Sequence, residues 1–570
     1  MIAVYVDSVL KDFQNEIRFT IDFIFNTLGF VHKYISKLEQ IEPNDVLIYY
    51  GTIEPTSKEA YILAMDKIFF FIPCGIDFYK PGSISRQQLS ESIREIKLDR
   101  SIPLICNHEI EQPIVYFINE NLYYGSVKFD LIGNIFFNLI NYQKFSPGRE
   151  EKDYRIPDDE MVFHDYALIP YTNYYLWLLE QTILEAIEKK RDYFLVKKEY
   201  WPKAEKGAVA VSHNVPKLRK WNFKRIMQSV YQDLLVFYKF KYVLKNFRSR
   251  TKYILTNEEE YWNFDLIDNL EEKYGIRSTY FWGTDDSRKG EFEYDIGHNL
   301  IYQEISRIID RGHEIALLAK SNSYKNDNFQ SQKKQIIRLS FKEKTGLRIN
   351  GYKSDPYQTN ELKLKHSFVY DSSRKLATMA GFANGIGFPF HLSIISKKGK
   401  LRRSFANNNN LEIPLICSDE SFIISTTNKM SSETAKEIIE KLLDSINLVN
   451  GLITFDFSVH NFAELEYLEK LMEEVFKKIN NKKYYQDTYL NIAQWWKKRE
   501  RIEIHERRSS VRLYFPEKIE TFSFSIKGNK KLSHVDYTKS HISGNLVTLH
   551  DIDPDTEVKV FLDKSESGEK

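Results

Sequence analysis

The chain has 570 residues, 42% hydrophobic and 14% aromatic, enough to build two or three sizeable cores. A formal net charge of +2 gives no overall electrostatic pull toward nucleic acid or a membrane. The three cysteines, Cys74, Cys106 and Cys417, are far apart and each ends an apolar run. They read as buried small hydrophobes, not as a disulfide framework or a zinc-thiolate site. The opening Met-Ile-Ala-Val-Tyr-Val lacks the basic and apolar pattern of a signal peptide. No run reaches the roughly 18 apolar residues of a membrane helix. A reduced, cytoplasmic setting without a membrane span is therefore expected.

Residues 1–200 alternate strands and helices. Strands are expected at 2–6, 45–50 and 68–72, and helices at 17–28, 129–139 and 174–190. The carboxylates are scattered and the histidines are only His32, His108 and His164, so this reads as an α/β accessory or docking domain.

Residues 201–500 alternate again. A strand at 208–212 precedes a long basic, aromatic helical stretch at 223–247. Helices at 261–274, 300–311 and 330–345 lead into strands at 278–282, 312–318 and 347–352. Further strands are expected at 388–392, 411–416 and 451–457, and helices at 432–448, 464–479 and 489–499. Repeated strand–helix units of this length imply parallel strands with crossover helices. Seven or so units make an irregular (β/α) barrel. Residues 501–570 switch to period-two alternation with turn signals, the pattern of a small β-rich module, and 565–570 reads as a fraying end. The basic cluster from Lys397 to Arg403 and the Asn407–Asn410 run read as solvated loops.

The stretch Gly207-Ala-Val-Ala-Val-Ser-His-Asn-Val-Pro216 reads as an apolar strand running into a polar turn, the kind of strand end where an α/β barrel places its chemistry. With Arg219-Lys-Trp221 it opens a series: Ser278-Thr-Tyr-Phe-Trp282, Gly312-His-Glu-Ile-Ala-Leu-Leu318, Phe368-Val-Tyr-Asp-Ser-Ser373, Leu411-Glu-Ile-Pro-Leu-Ile416 and Ser458-Val-His-Asn461. In order and spacing this series resembles the polysaccharide deacetylases with a NodB-homology domain. Asn15 to Phe25 and Phe129 to Leu139 resemble the N-terminal domain that precedes the barrel in one bacterial branch. Together the resemblance covers about residues 10–500.

The resemblance implies a divalent metal that polarises an acetamide carbonyl and activates a water, with Asp and His ligands, an Asp base and a His acid. In the family the first motif carries the base and a metal-binding Asp, at positions occupied here by Asn214 and Pro216. An amide does not accept the water's proton at neutral pH, and Pro offers no donor atom. The histidine ligand ending the third stretch is replaced by Leu318. Arg348 or Lys353 stands near the family's later arginine, and His460 matches the family's late histidine, its general acid. By strand-end position Trp282, Tyr324, Tyr352 and Tyr357 are candidates to stack a sugar, with Arg348 as a further substrate contact.

The residues leave three readings open. The first is a deacetylase-like protein of bacterial surface-polysaccharide metabolism that lacks the standard metal chemistry and binds a glycan, an N-acetylated polysaccharide, or a partner. The second is an active hydrolase with a remodelled zinc site built from Asp285, Asp286, His213, His313, His391 and His460. The third is an assembly subunit whose N-terminal domain docks a protein partner. No Walker loop, dinucleotide loop or Gly-x-Ser-x-Gly elbow is present.

Overall fold

The computed structural model describes the chain except residues 43, 57, 60–62, 64–66, 119–121, 146–155, 191–192, 236–239, 257, 286–289, 398, 403–409, 426–427, 508 and 564–570. Asp286, the end at 565–570, most of the Asn407–Asn410 run and parts of the Lys397–Arg403 cluster lie outside the described residues.

The N-terminal strands are β1 (Ile2–Val6), β2 (His32–Ile35), β3 (Val46–Gly51), β4 (Ile68–Pro73), β5 (Ile93–Lys97), β6 (Ser101–Ile105), β7 (Ile114–Ile118) and β8 (Tyr123–Val127). Six form one sheet in the order β2-β1-β3-β4-β8-β7, parallel except for the last pair, and β5 and β6 pair as a separate ladder. The run Ile-Phe-Phe-Phe-Ile in β4 is buried on both faces, as a central parallel strand requires. Helices α1 (Gln14–Leu28), α2 (Arg86–Glu91), α3 (Leu131–Ile140) and α4 (Tyr171–Lys189) complete this region, with α1, α3 and α4 close to the expected positions. Phe19 of α1 meets Phe136 of α3 edge to face. Each such fully buried aromatic contributes about 1.5–3 kcal/mol.

Strand β9 (Phe194–Lys198) lies within the first 200 residues, yet it pairs with a strand at Ile519–Gly528 in the C-terminal region. The chain then enters a second sheet through β10 (Ala208–Val215), β11 (Ser278–Trp282), β12 (Glu314–Ala319), β13 (Leu347–Ile349), β14 (Tyr370–Asp371), β15 (Phe390–His391), β16 (Leu411–Glu412) and β17 (Cys417–Ser418). A short hairpin, β18 (Ile423–Ser425) with β19 (Asn428–Lys429), precedes β20 (Leu452–Asp456) and β21 (Tyr485–Gln486). The strand order is β15-β16-β14-β13-β12-β11-β10-β20-β17, parallel throughout except at the β15 edge. The sheet curls: β16 and β17 belong to one short segment, which pairs with β14 at its start and with β20 at its end.

The crossover helices are α5 (Phe223–Leu235), α6 (Phe240–Thr256), α7 (Phe264–Tyr274), α8 (Asn299–Asp310), α9 (Phe329–Ser340), α10 (Thr359–Lys365), α11 (Ser432–Ser445), α12 (Leu468–Lys482) and α13 (Tyr489–Arg501). The helix expected at 223–247 is thus described as two, and α9 stops at Ser340 because Phe341 turns left-handed at φ 54°. The end of the chain adds β22 (Glu503–Arg507), β23 (Ser510–Phe515), β24 (Ile519–Gly528), β25 (Leu532–Asp536), β26 (Ser540–Ser543), β27 (Leu546–Ile552) and β28 (Thr556–Leu562), in two four-stranded sheets, one of which includes β9.

One residue ties these regions together. Arg499, on α13, is fully buried. Its guanidinium donates to the carbonyls of Asn26 and Thr27 at the end of α1, and to those of Lys198 and Glu199 at the end of β9, at 2.7–3.0 Å. Gly29, in the left-handed cap of α1 at φ 80°, permits this approach: a Cβ there would lie 2.2 Å from the Lys198 carbonyl oxygen. Arg499→Met leaves these helix-end and strand-end carbonyls without their charged donor. We expect a loss of at least about 3 kcal/mol in chemical denaturation, because buried unpaired acceptors cost about 1–3 kcal/mol each.

Candidate functional site

Side chains along a parallel strand alternate between faces, and register partners share a face. In β10, Asn214 is paired in register with Phe281, Phe281 with Ala316, and Leu318 with Arg348. Asn214, Phe281, Ala316, Leu318 and Arg348 therefore project to the same, inner side of the curled sheet. The expected strand end at Ser212 is corrected here: β10 continues to Val215, so Asn214 lies within the strand and Pro216 one residue past it. The polar residues Ser212, His213 and Asn214 remain buried because each has a built partner.

The centre of the inner side is Arg348, fully buried. Its Nη1 donates to Asp456 Oδ1 at 2.7 Å, Asn214 Oδ1 at 2.9 Å and Ser212 Oγ at 3.1 Å. Its Nη2 donates to Ser372 Oγ and to Tyr489 Oη, and its Nε to the Ser372 carbonyl. The guanidinium lies 4.0 Å from the centroid of the Phe281 ring. Burial is the largest single influence and works against its charge, but Asp456 together with Tyr489 and Tyr352 holds the guanidinium above its ordinary pKa. Asn214 Nδ2 in turn donates to Tyr352 Oη at 3.2 Å. The structure thus brings Asn214, Arg348 and Tyr352 together around a carboxylate, Asp456. An acid at the tip of the apolar strand Leu-Ile-Thr-Phe-Asp, at the same sheet end as Asn214, is the signal that sequence reasoning passed over.

Next to this cluster Asp419 accepts from the Ser458 amide at 2.7 Å and from Asn461 Nδ2 at 3.0 Å. Burial, then the negative charges of Asp456 and Glu420, push its carboxyl well above the ordinary range.

The candidate histidines do not gather around Arg348; His213 and His313 instead share Glu271 of α7, with His313 Nε2 3.7 Å from it, and the other two stand apart. Alternation sends His213 outward, where its ring nitrogens meet the Phe457 carbonyl at 2.7 Å and Glu271 of α7 at 2.9 Å. His313 Nδ1 accepts from the Ser278 amide, and His391 meets Glu500 at 2.8 Å. Asp285 is buried and paired with Lys320 at 2.6 Å. His460 lies against the Tyr261 ring, 5.4 Å between centroids, with Nδ1 unpartnered. Burial pushes its imidazole down to about 3, which disfavours the imidazolium that a histidine general acid needs at neutral pH.

These donors do not fit a divalent ion. The inner positions Asn214 and Leu318 supply an amide and an alkyl group, and Pro216 supplies nothing. The inner carboxylate Asp456 is already paired with a fixed cation. Among the described residues no group of three His, Cys, Asp or Glu side chains is placed to hold a metal.

Of the expected stacking aromatics, Trp282 is fully buried, with Phe264 parallel to it at 5.5 Å and Tyr294 on its edge. It presents no open ring face. Tyr324 is buried, and Tyr357 packs edge-on against Phe145 of the N-terminal region. Tyr352 differs. It lines a cleft between the N-terminal region, at Asn141, Lys144 and Phe145, and the sheet end at Asp371, Ser373, Arg374 and Glu412.

That cleft is polar and charged. Lys363 pairs with Asp371, which also accepts from Ser373 Oγ. Arg374 donates to the carbonyls of Asn138 and Leu139 at the end of α3. Its own amide donates to Glu412 Oε1 at 2.9 Å. Lys375 lies over the Tyr352 ring, 5.1 Å from its centroid. Burial, then the adjacent Asp371 charge, push the Glu412 carboxyl up to about 8. Asn384 is buried on the cleft wall, and its Oδ1 has no hydrogen-bond donor.

No protein-family model matches the chain, and no curated protein matches it. Among solved structures it is similar to a protein described as a polysaccharide deacetylase from Mycobacterium smegmatis, at 14% identity and a TM-score of 0.35, over 52% of this chain and 92% of that one. It is also similar to the Puue allantoinase, at 13% identity and a TM-score of 0.34, over 52% and 92% of the two chains. A third is a protein described as a polysaccharide deacetylase from Pseudomonas aeruginosa PAO1, at 12% identity and a TM-score of 0.35, over 52% and 93%. A likeness at these scores carries no functional argument.

Two measurements test the site's electrostatics. Asp456→Asn strands the buried Arg348 cation, and we expect a loss of roughly 3–5 kcal/mol in denaturation. Glu412 binds its proton more tightly when folded, so its contribution to stability is complete in acid and drains away as pH rises from the ordinary carboxylate range to about 8. The slope is up to about 1.4 kcal/mol per pH unit. Glu412→Gln keeps a neutral side chain at every pH. The stability of the variant relative to the parent should therefore rise between pH 5 and pH 8, and a flat difference would show that Glu412 is ionised in the fold.

Proposed function

We propose that this chain is a deacetylase-like protein of carbohydrate metabolism, built on a seven-stranded barrel closed through residues 411–418. In this reading it binds a saccharide without the metal-dependent hydrolysis of the family it resembles. The observation that carries the reading is Arg348. A permanent cation, paired to Asp456 and bonded to Asn214, fills the polar centre on which metal chemistry would depend. Asn214 in the base position, with Pro216 and Leu318 in the ligand positions, agrees with that arrangement. Burial holds the imidazole of His460, in the acid position, well below its ordinary pKa.

The saccharide site is the cleft beside this centre. A ligand rich in hydroxyl and acetamide groups needs both donors and acceptors. Asn141, Asn360, Asn384, Ser354, Ser393 and Asp355 on its walls supply both. Tyr352 joins the cleft to the Arg348 cluster and offers an aromatic edge to a sugar ring. Trp282 would act behind this wall as a packing residue and Arg348 as the group that orients Asn214 and Tyr352.

Binding of N-acetylglucosamine oligomers, followed by calorimetry together with acetate release, tests this reading. Binding without acetate release is expected. Asn384→Leu and Asn360→Ala should each weaken it about tenfold, the worth of one hydrogen bond to a polar ligand. Stoichiometric acetate release would favour a hydrolase with a remodelled site instead.

A further inference from the structure

The helix pair α5–α6 is built inside out. Along α5 the residues facing inward are polar: Ser229 and Asp233 are buried, and both accept from Arg250 Nη1 of α6 at 2.6 Å. Ser249 of α6 is likewise buried, accepting from Trp221 Nε1 and donating to Glu260. Among the described side chains, several large apolar ones face solvent. Phe223, Met227, Tyr231 and Leu235 are 82%, 56%, 65% and 63% exposed, and they recur every four residues along one stripe of α5. On α6, Phe247, Ile254 and Leu255 are 59%, 67% and 78% exposed. A water-facing helix has the opposite arrangement, so this face needs an apolar cover.

The charge indicates which cover. Residues 223–256 hold eight Lys or Arg and a single acid, Asp233, against a net charge of +2 for the whole chain. The rest of the molecule is therefore net negative; Arg225, Lys245 and Lys252 pair with Glu293, Glu466 and Glu258, and Arg250 with Asp233, which leaves Lys224 and Arg248, among the described side chains, as the exposed cations without a carboxylate partner. Lys224, Arg248 and Lys252 are exposed beside the apolar stripes. A second copy of the same face would bring Lys224 and Arg248 toward like charges. Exposed aromatic and aliphatic side chains flanked by Lys and Arg are what an anionic bilayer surface takes up, with apolar groups sinking to the acyl boundary and cations meeting the headgroups.

We propose that α5 and α6 form a docking surface for anionic lipid membranes. The pair leaves the chain directly after β10 and returns at Tyr261, whose ring touches His460 beyond β20. Docking would thus set the sheet end that carries the Arg348 cluster close to the headgroups. The proposal does not depend on the saccharide reading.

The test is vesicle co-sedimentation of the full chain. The vesicles are phosphatidylcholine alone, and phosphatidylcholine mixed with phosphatidylglycerol. Binding is expected to the mixed vesicles and not to the neutral ones, and to weaken at high salt. Lys224→Glu with Arg248→Glu should weaken it at least about fivefold for each cation lost. Met227→Asp with Leu235→Asp should abolish it while thermal unfolding stays unchanged, because both residues are exposed. Failure of the parent chain to prefer anionic vesicles would overturn the proposal, as would binding that survives both double variants. Self-association that Met227→Asp with Leu235→Asp removes, in the absence of vesicle binding, would assign the face to a second copy instead.

Discussion

A buried guanidinium governs the interior of the curled sheet. Taking Arg348 out of water is costly, and the cost is offset only because Asp456 balances its charge while Asn214, Ser212, Ser372 and Tyr489 occupy its other hydrogen-bonding directions. These partners come from β10, from the tip of β20, from the segment after β14 and from the start of α13. Each element must be in register for the charge to be satisfied. The pair therefore specifies the arrangement of the strand ends.

A second buried arginine has a related role at the other scale of the fold. Arg499 caps the carbonyls that end α1 and β9, so the N-terminal sheet, the curled sheet and the C-terminal sheets share one polar junction. Lys198 contributes from the same place, donating to the carbonyls of Arg499, Glu500 and Ile502. Burial, with Arg499 nearby, lowers its ammonium to about 7. Both arginines bond mainly to groups distant in sequence, which makes the assembly of the regions cooperative.

Much of the architecture was legible because apolar runs such as Ile68 to Ile72 and Ser278 to Trp282 carry their strand pattern locally. What was not legible depended on distant partners. His213 and Asn214 look like a loop until Glu271 and Arg348 are in place to satisfy them. The strand at 194–198 is a short apolar run ending in two lysines, which says nothing about its partner, β24. Periodicity also marks 223–235 as an amphipathic helix without telling which face is buried, and here the polar face is the buried one. The positions Asn214 and Leu318 were identified from sequence as belonging together, and register places both on the inner side. His460, chosen by its match to the family's late histidine, and Trp282, chosen by strand-end position, lie in buried surroundings that leave them little chemistry with a ligand.

The central claim is that a fixed cation organises the polar centre of this sheet in place of a divalent metal. Elemental analysis of the purified chain, after exposure to zinc and removal of loosely held ions, tests it most directly. The account predicts far less than one metal ion per chain, and no change in thermal unfolding when a chelator is added. One tightly held ion per chain, with a fall in stability on chelation, would contradict it.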